Sequence, residues 1–142
     1  QEVDRLEDAL SEDPVQVTFN GSVETMRAIA SHLGTHAVAP HLQVTLTEYP
    51  NRDFSMVDVC GAGVTKGSGL EAVAEQFGIA QSEVMAVGDN YNDRDMLEWA
   101  GIGVVMGNAE AELRSPAFHL TGTNDEAGLS QAIDRFIRKL NS

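Results

Sequence analysis

Hydrophobic positions recur along this chain with two periods, and the way those periods are combined changes near residue 62. Val3, Leu6 and Leu10 fall at helical spacing, and Pro14 closes that predicted helix. Val15, Val17 and Phe19 alternate with polar neighbours and predict a strand, with Asn20 and Gly21 as its turn. Ser22 then caps a predicted helix whose apolar stripe is Val23, Met26, Ile29, Ala30 and Leu33, with Gly34 as its stop. Alternation returns over 42–49, with Leu42, Val44 and Leu46 on one face. Pro50 to Asp53 is turn chemistry, and Phe54 to Cys60 predicts a further strand. Residues 1–62 thus read helix, strand, helix, strand, strand: an α+β layer on a partly antiparallel sheet.

After Gly61, Ala62 and Gly63, strands and helices alternate one for one. Ser68 and Glu71 have capping-box spacing, Leu70, Val73, Ala74 and Phe77 share a helix face, and Gly78 ends it. An apolar strand over 84–87 is followed by a helix from about Asn92 to Gly101. Ile102 to Met106 predicts a strand, Glu110 to Ser115 a short helix, and Phe118 to Leu120 a brief strand. The last helix carries Leu129, Ile133, Phe136, Ile137 and Leu140 on one stripe. This grammar belongs to a doubly wound, Rossmann-like α/β domain over 63–142.

The strand over 84–87 runs into Gly88, Asp89, Asn90, Tyr91, Asn92 and Asp93. In an open α/β sheet, ligands sit at the carboxyl ends of strands, where these acids would lie. Asp89 or Asn92 can cap the next helix and Asp93 can complement its dipole. Capping alone does not need two acids and two amides. Carboxylates about 5 Å apart repel by about 3 kcal/mol at an effective dielectric near 20. A divalent cation removes that cost, and oxygen-only ligands favour Mg2+, which keeps waters and leans on one or two carboxylates plus a phosphate. Lys66, just before a predicted helix, is by itself an ordinary surface lysine. Beside an acidic turn it becomes a point charge suited to phosphate.

Composition narrows the partners. The 142 residues carry a formal net charge of −13, which argues against nucleic acid or an anionic membrane surface. No apolar run approaches a membrane span. The lone Cys60 excludes an internal disulfide and points to a reducing cytoplasm. His32 and His36 are four apart, but a zinc site needs three or four convergent ligands. Trp99 is expected to pack on the core, and Tyr91 to lie at the turn.

Lys66-Gly67-Ser68, then Gly88 to Asp93 with Met96 and Leu97, then Gly103 to Ala109 together resemble the haloacid dehalogenase superfamily. More narrowly they resemble its Cof-type sugar-phosphate phosphatases, which carry a large α/β cap. Residues 63–142 resemble the C-terminal part of that core, and 1–62 part of the cap. The resemblance implies a Mg2+-dependent hydrolase of small phosphorylated metabolites that works through an aspartyl-phosphate. It assigns the magnesium to Asp89 and Asp93, charge balance on nucleophile and phosphate to Lys66, and a place near the transferred phosphoryl group to Asn92. Asn108 lies in a matching turn, where a helix-cap role explains it equally well.

The family's opening strand, ending in Asp-x-Asp-Gly-Thr, has no counterpart in these 142 residues. The chain therefore resembles the C-terminal portion of a phosphatase, expected to be inactive alone. A missing N-terminal segment or another chain is expected to complete the core sheet. Two other readings carry similar residues: a non-catalytic truncated protein that binds a partner, and the phosphorylation domain of a P-type pump. The lack of membrane spans and the cap-like first half count against the pump.

Overall fold

The computed structural model describes residues 14–138, and the helix predicted from Val3, Leu6 and Leu10 lies outside them, as does Leu140. The chain divides between Val64 and Thr65 into two compact units.

Among the described residues, the first unit is a three-stranded sheet with one long helix. Strand β1 spans Val17–Gly21, helix α1 Val23–Thr35, β2 Leu42–Tyr49 and β3 Phe54–Gly61. The order is β1-β3-β2, and both pairings are antiparallel, so the sheet is wholly rather than partly antiparallel. Val15 stands before the strand and is exposed, because only residues from Val17 find partners on β3. Ser22 caps α1 as predicted, its hydroxyl accepting from the Thr25 N–H at 3.3 Å. Gly34 does not stop α1: the helix runs on to Thr35, with His36 as its cap. Thr35, the one helical residue beyond Gly34, donates its hydroxyl to the Ser31 and His32 carbonyls. Arg27 on α1 pairs with Glu48, which lies opposite Ser55 in the register. That puts α1 over the face carrying Ser55 and Val57, both fully buried. The other face is polar around Asp58, which accepts from Gln16 at 2.7 Å and Thr18 at 2.6 Å.

The second unit is a parallel sheet with helices. Helix α2 spans Lys66–Phe77, β4 Met85–Gly88, α3 Arg94–Trp99, β5 Ile102–Val105, β6 His119–Leu120 and α4 Gly128–Phe136. The sheet order is β4-β5-β6, all parallel. Ala86, Leu97, Val105, Ala109 and Leu113 form the core, with Leu70, Met96, Ala100 and Phe118 against it. Fully burying a leucine such as Leu97 contributes about 2 kcal/mol.

Three local readings shift here. The cap of α2 is Thr65, which exchanges side-chain bonds with Ser68 at 3.1 and 2.9 Å, so Lys66 is the first helical residue rather than the one before it. Val73 and Phe77 share the predicted face but are 52% and 71% exposed, while Ala74 is buried. The predicted helix over 110–115 is only a 3-10 turn at Ala111–Leu113.

Candidate active site

Strand β4 delivers the acidic turn at its carboxyl end. After Asp89 the chain makes one 3-10 turn, Tyr91–Asp93, and continues into α3. Neither Asp89 nor Asn92 caps the turn or the helix. Asn90 caps the 3-10 turn, its side chain accepting from the Tyr91 N–H at 2.7 Å, and α3 follows Asp93 without a side-chain cap. Asp93 answers from inside the turn: its Oδ2 accepts from the N–H groups of Asp89 at 3.0 Å and Asn90 at 3.1 Å. This loop folds only because Gly88 lacks a side chain. A Cβ there would stand 2.5 Å from the Asp93 Cβ.

Asp93 is buried, and its second oxygen takes the Lys66 ammonium. The same ammonium donates to the Asn92 amide oxygen at 3.2 Å. Lys66 is half exposed, so one ammonium joins a buried acid on one side and solvent on the other. The structure therefore gathers Lys66, Asn92 and Asp93 into one hydrogen-bonded cluster.

Asp95, in the first turn of α3, ties the lysine's helix to α3. Its Oδ2 accepts from the Gly67 N–H at 3.0 Å, and its Oδ1 from the Met96 N–H at 2.9 Å. Burial pushes the Asp95 carboxyl up, and bonds from the Thr65 hydroxyl and the Gly67 and Met96 N–H groups outweigh it, leaving a net downward shift. Gly67 is buried against the Asp95 backbone, where a Cβ would approach to 3.0 Å.

Asp89 is placed differently. It is exposed, and its Oδ2 accepts from the Asn108 amide at 3.0 Å. Among the described residues its Oδ1 has no hydrogen-bond partner. Asn108 is not a helix cap: the next turn starts from Glu110 without a side-chain cap.

Among the described residues no three His, Cys, Asp or Glu side chains converge to hold a metal. Mg2+ does not require three, since it keeps several waters and takes one or two carboxylates. The exposed Asp89 Oδ1 fits that demand as a direct ligand. Asp93 has both oxygens committed, so it fits as a support for the site, reached through water.

His32 and His36 are exposed, with ring centroids 5.7 Å apart, and have no third ligand among the described residues. Trp99 is half-buried rather than buried in the core. Tyr91 is 61% exposed, with the Arg94 guanidinium 6.0 Å from its ring centre. Sequence reasoning missed the Asp95 link and left Asn108 open. Nothing along the chain shows that Gly67 packs on Asp95.

The model of the haloacid dehalogenase-like hydrolase family matches residues 1–133, and the chain belongs to that family. It is 39% identical over 95 residues to a putative phosphatase of Haemophilus influenzae, covering 67% of this chain and 34% of that one. It is 29% identical to a 5-amino-6-(5-phospho-D-ribitylamino)uracil phosphatase of Bacillus subtilis, over 92% of this chain and 47% of that one. A haloacid dehalogenase-like hydrolase from Bacteroides thetaiotaomicron superposes with a TM-score of 0.78 at 28% identity, over 96% of this chain and 49% of the other. A subclass IIB sugar phosphatase superposes at 0.73 with 32% identity, over 92% and 46%. The chain spans half or less of the length of these relatives. Its α/β class and parallel Rossmann-like sheet are those of the matched structures. Among the described residues no helix is long and apolar enough to cross a membrane.

Proposed function

We propose that this chain is the C-terminal part of a Mg2+-dependent phosphatase that hydrolyses small phosphorylated metabolites in the cytoplasm. Its second unit is read as part of the catalytic core and its first as part of a cap. The observation that carries this reading is the cluster of Lys66, Asn92 and Asp93 beside Asp89 at the end of β4. Relatives named as phosphatases support the substrate class. Neither they nor the family match favours the pump or the partner-binding reading.

The proposed reaction begins when an aspartate attacks phosphorus and the alcohol leaves. Water then cleaves the aspartyl-phosphate and releases inorganic phosphate. The attacking aspartate is not among these 142 residues. We assign it to a segment or second chain that pairs with β4, whose other edge carries no strand among the described residues. Lys66 and Asn92 bind the transferring phosphoryl group, the ammonium matching its developing negative charge; one such donor is worth about 100- to 1000-fold in rate. Asp93 keeps the ammonium in place. A bound Mg2+, held by Asp89, would supply electrostatic stabilisation of the phosphoryl oxygens.

The test is p-nitrophenyl phosphate hydrolysis by the sheet-complete protein, with and without Mg2+. Activity that requires the cation and that Asp89→Asn removes is expected. Undiminished turnover by that variant would overturn the metal assignment. The 142-residue chain alone is expected to be inactive, and robust turnover by it would mean that it carries its own nucleophile.

A further inference from the structure

Asn108 sits where two obligatory hydrogen-bond roles meet. Its Oδ1 accepts from the Asn124 backbone N–H at 2.9 Å, and its Nδ2 donates to Asp89 Oδ2 at 3.0 Å. A backbone N–H can only donate and a carboxylate can only accept, so both contacts demand the same amide orientation. The turn beneath is clamped from two sides. Arg114 donates to the Ala109 carbonyl at 3.1 Å and to the Gly107 carbonyl at 2.7 Å. The Gly107 N–H donates to the Gly122 carbonyl at 3.0 Å, and a Cβ on Gly107 would come within 2.9 Å of the Thr123 nitrogen. Glu126 folds the same loop by accepting from the Thr123 N–H at 3.0 Å and its hydroxyl at 2.9 Å.

We propose that Asn108 is a positioning residue that aims Asp89 at a divalent cation, with the 121–127 loop setting that aim through Asn124. This rests on the reading of Asp89 as the cation's ligand. An exposed aspartate at a strand end rotates freely unless something holds one oxygen. Asn108 holds Oδ2 and leaves Oδ1 without a hydrogen-bond partner among the described residues. A neutral amide does this without cancelling the carboxylate charge, as a lysine would. Ligating carboxylates generally need such a partner, and its removal typically costs 10- to 100-fold in metal affinity.

The test is Mn2+ binding, read by electron paramagnetic resonance on the full protein, for Asp89→Asn, Asn108→Ala, Asn108→Leu and the Asp89→Asn/Asn108→Ala double variant. Leucine keeps the approximate shape of asparagine and lacks the amide, so it separates lost packing from a lost donor. About ten-fold weaker binding is expected for both Asn108 variants. The double variant is expected to bind no more weakly than Asp89→Asn alone, as for two residues acting through one ligand. Wild-type affinity in both Asn108 variants, with Asp89→Asn impaired, overturns the aiming role and leaves the metal reading standing. Additive losses in the double variant overturn it as well. Unchanged binding by Asp89→Asn, or no binding by the wild type, overturns the metal reading and this inference with it.

Discussion

Lys66 donates to Asp93, the buried acid of the turn, while the exposed Asp89 takes its side-chain bond from the neutral amide of Asn108. The two acids therefore have opposite electrical surroundings. One is paired with a cationic side chain, and the other only with a neutral donor. Asp93 uses both oxygens as acceptors, one for the ammonium and one for two backbone N–H groups. Asparagine has one oxygen and one NH2, so Asp93→Asn must set a donor against a donor on one side. We expect it to cost about 2 kcal/mol of stability, the penalty for a buried donor left unmet. A urea titration checks this, and an unchanged midpoint would contradict the bonding.

Two glycines of this unit should respond in opposite directions to alanine. Gly69 lies inside α2, and a Cβ added there would meet nothing within 4 Å, so Gly69→Ala only improves helix propensity. The expected gain is about 0.5–1 kcal/mol. Gly88→Ala drives a Cβ to 2.5 Å from that of Asp93 and to 2.9 Å from its Oδ2. Such overpacking costs about 1–3 kcal/mol, and here it displaces the acid that holds Lys66. Thermal unfolding of both variants, with phosphatase assay in the sheet-complete protein, should show one stabilised and active and the other destabilised and slow.

The first unit holds one misfit. The Ser55 hydroxyl is fully buried and has no hydrogen-bond partner among the described residues. Removing a desolvated, unpaired hydroxyl removes a penalty, so Ser55→Ala should be neutral or stabilising by about 1 kcal/mol. A drop in the urea midpoint would mean that the hydroxyl is satisfied.

Much of this was legible along the chain because hydrophobic period reports burial directly. The alternation of Val44 and Leu46, and the apolar run ending at Gly88, located their strands to within a residue. The Lys66 and Asp93 motifs pointed to one place because each abuts an element end. What escaped depends on partners distant in sequence or on local bonds that spacing does not show. Thr65 outcompetes Ser68 as the cap of α2 because the two exchange bonds. Gly34 reads as a stop, yet α1 continues because Thr35 bonds back to its last turn. Phe77 falls on the helical stripe but stays exposed, since periodicity marks a face and not what covers it.

Asp95 gives a pH signature. Burial pushes its carboxyl up, but the Thr65, Gly67 and Met96 donors together hold it below the ordinary aspartate range in the folded state. A depressed folded-state value means that the charged form is favoured by folding. Its contribution is therefore complete above the unfolded-state value and disappears as pH falls through the folded-state one. Asp95→Ala should cost about 1–2 kcal/mol at neutral pH, as expected for hydrogen bonds to a charged acceptor that is partly exposed. The gap between wild type and Asp95→Ala should then narrow as the medium is acidified through the aspartate range and close below it. Because Asp95 fixes the start of α2, the same variant should also lower kcat in the sheet-complete protein while leaving Lys66 present. Urea midpoints measured across that pH range decide the first point: a gap that stays constant, or widens in acid, would show that the carboxylate is not what these donors hold.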